Sequence, residues 1–167
     1  PGEPGASDEE KSQEAQCSGL TQRMRTSRLD HLAIAAKAKV PHANFLFYLE
    51  GPFGDPSALL SRPDDPLVQE WKQQAISQLK EQADTGDYLS TAVLFNLYHE
   101  GSEASKKDTA LSLRYLVALR SIEDQNNATS TVGSVFHSVD LLASEKDLSP
   151  AQIAAATAAG NAMAALW

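Results

Sequence analysis

One cysteine, two methionines and two tryptophans are all that a chain of 167 residues holds of those types. A lone Cys17 excludes an intrachain disulfide and a thiolate-held zinc cluster. Alternating valine-rich runs are missing, so strand content is expected to be near zero. No stretch is apolar enough to read as a membrane span or a signal peptide. The phosphate-cradling loops GxxxxGKS/T and GxGxxG, the GxSxG elbow and the HExxH zinc motif are absent, and no cofactor is expected. Positive charge is scarce too: 14 Lys and Arg against 22 Asp and Glu leave a net charge of −8. A surface of that sign does not neutralise phosphates, which argues against nucleic acid and against an anionic membrane. A chain of this length buries roughly 70% of its unfolded surface, enough for one core without staples.

The two ends differ from the middle. Residues 1–16, PGEPGASDEEKSQEAQ, contain no Leu, Ile, Val or aromatic residue, and Glu3, Asp8, Glu9, Glu10 and Glu14 face only Lys11. Such a segment cannot offset its ordering entropy by burial, so residues 1–17 are expected to form a disordered acidic tail. Cys17 reads as a small apolar residue, with a reactive thiol as the alternative. The start at Pro1 without Met fits a mature periplasmic or secreted protein, with the cytoplasm as the alternative. At the other end, Leu148 to Trp167 carry no charged side chain and are rich in alanine. Ser149-Pro150-Ala151-Gln152 has Ser at N-cap, Pro at the first helical position and Gln placed to reach back. A closing helix over 150–166 is expected, with Ile153, Leu166 and Trp167 as its bulk.

The body is helical by periodicity. The expected helices are 19–38, 42–50, 66–84, 88–100, 109–124 and 128–144. Leu67, Trp71, Ala75, Leu79 and Ala83 recur every fourth residue after an Asp65-Pro66 start and before Gly86. Asp87 precedes Leu89, Val93, Leu94, Leu97 and Tyr98. Asp108 precedes Leu111, Tyr115, Leu116, Leu119 and Ile122, and Asn126-Asn127 is read as the break. Val132, Val135, Phe136, Val139 and Leu142 mark one more helix. Gly51 to Asp64 is the one long irregular stretch, stiffened by Pro52, Pro56 and Pro63 and tacked to the body by Phe53, Leu59 and Leu60.

One window prompts a repeat reading. It runs Gly86-Asp87-Tyr88-Leu89-Ser90, then Leu94, Tyr98, Gly101, Asp108, Leu113, Tyr115 and Ala118. It resembles the Sel-one-like repeat, a branch of the tetratricopeptide-like superfamily, with Gly86, Asp87, Leu94, Tyr98 and Gly101 in register. Ser90, Phe95 and Ser112 stand where that family has small residues. The resemblance implies an all-α superhelix of about three degenerate helix pairs. It also implies a non-catalytic module that presents a helical surface to a protein or peptide. Helix pairs of this kind cannot bury all their apolar faces alone and must stack, with capped ends.

On that reading Asn44, Tyr48, Phe95, Asn96, His99 and His137 are the candidate binding residues. The acidic balance favours a basic or amphipathic peptide. An exported hydrolase using His42, Glu50 and the acids of the 51–64 loop is the alternative in the enzyme class. A specific inhibitor or immunity-type protein of one enzyme is a narrower form of the interaction reading. Of the four histidines no two lie four apart on one helix, and no metal site is expected.

Overall fold

The computed structural model describes residues 27–127 and 146–166. The expectations for the 1–17 tail, Cys17, His137, the 128–144 helix and Trp167 lie outside the described residues, as does the first part of the 19–38 helix. Among the described residues the chain is all-α, without a strand.

The helices are α1 (Arg28–Lys37), α2 (Ala43–Glu50), α3 (Ala58–Ser61), α4 (Pro66–Ala83), α5 (Tyr88–Glu100), α6 (Thr109–Asn127) and α7 (Pro150–Ala164). Their starts follow from local chemistry. The carboxylate of Asp65 accepts from Leu67 N–H at 2.9 Å, that of Asp87 from Ser90 N–H at 2.7 Å, and that of Asp108 from Leu111 N–H at 3.0 Å. Each satisfies a donor that the first helical turn leaves unpaired. Ser149 and Gln152 form the reciprocal capping box of α7. α6 includes Asn126 and Asn127, three residues beyond the expected end at 124, and Asn127 is the last residue described there. Asparagine lowers helix propensity by well under about 1 kcal/mol, and no Pro or Gly follows to enforce a stop.

Among the described helices, α1 packs on α2, α2 on α4, α4 on α5, α5 on α6, and α6 on α7. Two apolar clusters result. One joins Ala36, Ala43 and Phe47 to Trp71 and Ala75. The other joins Leu79 and Ala83 to Leu94, Phe95, Tyr98, Tyr115, Leu119 and Met163. α4 therefore belongs to both, giving its first half to one cluster and its second half to the other. Half-buried Tyr48 touches both clusters. The central α6 is buried on a broad face by Ser112, Leu113, Tyr115, Leu116, Ala118, Leu119 and Ile122, because α5 and α7 both cover it.

Some expected anchors are corrected. Leu67 is exposed and Val68 is buried in its place. At 3.6 residues per turn, Leu67 lies about 120° around the helix from Leu79, whereas Val68 lies within about 20°. In the 51–64 stretch, of the expected anchors Phe53, Leu59 and Leu60 only Leu59 packs on the body, Phe53 and Leu60 are exposed, and Pro52 and Ala58 are the buried residues. Two short turns in it, Pro52–Gly54 and α3, point those smaller residues inward. Phe53 lies outside under the guanidinium of Arg62, 4.4 Å from its ring centroid. Gly51 opens the stretch at φ +72°, where a Cβ would fall 2.5 Å from the Pro56 Cα, so the chain can reverse there only without a side chain. Ile153 is half-buried and Leu166 exposed, so Met163 supplies the bulk of α7.

Candidate interaction surface

The candidate binding residues divide by depth. Asn44 and Phe95 are buried and present no surface. The Asn44 amide donates to Ser90 Oγ at 2.6 Å, and the Ser90 hydroxyl donates to the Asp87 carboxylate. This buried polar chain ties α2 to the start of α5. It explains a serine where the resemblance has a small apolar residue: the hydroxyl both receives Asn44 and joins the cap. Phe95 turns into the core and stacks on His99 with centroids 5.1 Å apart. The ring fills the space between neighbouring helices instead of facing a ligand.

Tyr48, half-buried, stacks on Trp71 at 6.2 Å. Burial lifts its phenol above the usual range, opposed by a hydrogen bond with the Ser102 side chain. His99 sits in the last turn of α5 with Nδ1 3.4 Å from Ser112 Oγ. Asn96 is exposed. The five described candidates therefore do not form one face: two are core, and Tyr48 and His99 are engaged with neighbours.

The residues of the hydrolase alternative are not brought together either. His42 and Glu50 lie at opposite ends of α2, eight residues and roughly 12 Å of helix apart. Glu50 is paired with Arg28 at 2.5 Å. Asp55 accepts from the Ser57 hydroxyl at 2.7 Å and from its N–H at 3.0 Å, which hold its carboxyl below the ordinary range. Asp65 caps α4. Among the described residues no three His, Cys, Asp or Glu side chains could hold a metal ion.

What the structure does assemble is an open groove along α4, enclosing about 450 Å³. Half-buried Ile76 is its accessible apolar residue, with the buried Tyr98 and Ala104 behind it, and Gln69, Lys72, Gln73, Ser77 and Lys80 are its polar residues. The wall opposite α4 is the end of α5 with the loop after it. That loop is held by Asp108 N–H donating to the Tyr98 carbonyl at 3.0 Å and Ser102 N–H to the Ser105 carbonyl at 2.7 Å. The ammonium of Lys80 stands 5.5 Å from the Tyr98 ring centroid. Only a spacing signal marks this groove in the sequence. Lys72, Ile76 and Lys80 form one i, i+4, i+8 row, and Gln69, Gln73 and Ser77 form a second beside it. Such rows read as an ordinary solvated helix face until a loop is seen to wall them in.

No family model matches the chain, and neither does a curated protein or a solved structure. No described helix is long and apolar enough to cross a membrane.

Proposed function

We propose that the chain is a non-catalytic interaction module that offers a surface of stacked helices to a peptide or protein partner. The observation that carries this reading is the α4 groove. It is open, apolar at Ile76 with the buried Tyr98 and Ala104 behind it, and bordered by neutral amides and two lysines. Such a lining suits a segment that buries one apolar side chain and hydrogen-bonds along its length. The serial packing of α4 on α5 and α5 on α6, and the resemblance of 86–119 to the Sel-one-like pattern, support the same reading. That resemblance also supports a periplasmic or secreted location, which fractionation of the source cells tests.

The test of the function is a pull-down with the immobilised full chain at low ionic strength. Each retained protein is then purified and titrated against the chain by calorimetry. Saturable binding to a purified partner is the expected outcome. Retention of no partner at low ionic strength contradicts the proposal.

A further inference from the structure

The chain as a whole is acidic at −8. The lining of the α4 groove has the opposite character: two lysines and no carboxylate. Among the described residues, neither Lys72 nor Lys80 pairs with an acid, whereas Arg28 pairs with Glu50, Arg62 with Asp65, and Arg114 with Asp84. On the loop that walls the groove, Glu103 before Ala104 and Lys106 and Lys107 after it are all exposed and lie outside the lining. Two of the chain's 14 Lys and Arg residues thus line a recess that holds no carboxylate.

We infer that the groove takes an acidic peptide segment of a partner protein, with acidic residues flanking one apolar side chain. This rests on the interaction-module reading and names its partner class. The dimensions fit. Lys72 and Lys80 are eight residues apart, roughly 12 Å along the helix axis. An extended segment covers that distance in about four residues, at roughly 3.3 Å each. A Glu or Asp at each end of such a segment meets a lysine, and an apolar residue between them lies over Ile76. Gln69, Gln73 and Ser77 run beside that path and can hydrogen-bond the peptide backbone, whatever its side chains. Long-range repulsion from the rest of the acidic chain opposes approach, whereas attraction to the lysines acts at contact. Discrimination therefore resides in the groove and is strongest where its charges are least screened.

The test uses the full chain and two fluorescein-labelled peptides of equal length, Glu-Ser-Leu-Ser-Glu and Lys-Ser-Leu-Ser-Lys, followed by anisotropy at low and moderate salt. The acidic peptide is expected to bind, with affinity falling as salt rises, and to bind at least about tenfold more tightly than the basic one. The double variant Lys72→Glu, Lys80→Glu is expected to weaken the acidic peptide by about tenfold or more, with the neutral pair Lys72→Gln, Lys80→Gln in between. Both pairs sit on the groove side of α4, and circular dichroism checks that each variant keeps its helix content. Carbodiimide coupling of the bound acidic peptide is expected to map to Lys72 or Lys80. Preference for the basic peptide, or indifference to the charge reversal, overturns this inference and leaves the module reading intact. So does coupling of those lysines to Glu or Asp of residues 1–16 in the free chain, because the occupant is then the protein's own segment. Absence of peptide binding together with a retained partner in the pull-down has the same consequence.

Discussion

At the residue scale, depth separates function from structure, and depth is what a pattern of apolar and polar letters records least well. Asn44 is a polar and Phe95 an aromatic residue on a helix, types that suit a core or a surface alike, and each is buried. Their roles are measurable as stability. Ser90→Ala removes the acceptor for the Asn44 amide, and a buried donor left unpaired costs about 1–3 kcal/mol. Chemical denaturation is expected to show that loss, and Asn44→Ala combined with Ser90→Ala is expected to lose less than the two single losses added. Phe95→Ala is expected to cost about 3–5 kcal/mol in the same assay, as a core ring does and a ligand-facing ring does not. The caps, by contrast, were legible in full. Asp65, Asp87, Asp108 and Ser149 each bond the backbone donor that their position in the sequence assigns them. A cap depends on residues within three positions of itself, whereas the Asn44–Ser90 bond spans 46 positions.

At the element scale, helix existence followed from periodicity and punctuation, and the stacked partner of each helix did not. α7 illustrates the gap. Its alanines indicated a close approach, but the residue that sets the distance is Gly160. A Cβ there would lie 2.5 Å from the Arg114 carbonyl oxygen and 2.8 Å from the Val117 Cβ. The first contact is with backbone, so the two helices must separate to admit it. Gly160→Ala is therefore expected to destabilise the chain by about 1–3 kcal/mol, against a helix-propensity gain of about 1 kcal/mol. Thermal melting of Gly160→Ala beside the exposed Ala158→Ser checks this, the second change being close to neutral. The 51–64 stretch shows the same limit from another side. Proline and glycine announced a turn-rich segment, but which of its apolar residues face inward depends on two short helical turns that no periodicity marks.

At the scale of the whole molecule, shared burial couples the helices, and titration can report on it. Tyr115 of α6 has its phenol pushed up to about 12, chiefly by burial and only partly offset by Arg114. Tyr88 of α5 reaches about 12 by burial together with its hydrogen bond to Glu123. An unfolded tyrosine ionises near 10, so the native state holds these protons where the unfolded state has lost them. Stability is accordingly complete below pH about 10 and falls as pH rises toward 12. Melting temperature against pH, with tyrosinate absorbance followed alongside, is expected to fall steeply in that window, and less steeply in Tyr115→Phe.

The groove along α4 exists only because the end of α5 and its loop stand beside that helix, so its lining crosses element boundaries that single-helix patterns respect. Hydrogen–deuterium exchange on the full chain, alone and with a purified partner from the pull-down, tests the account most directly. Added protection concentrated on residues 69–80 and 98–108 is the predicted footprint. Protection confined to α1, α2 or the 51–64 stretch, with α4 unchanged, would contradict it.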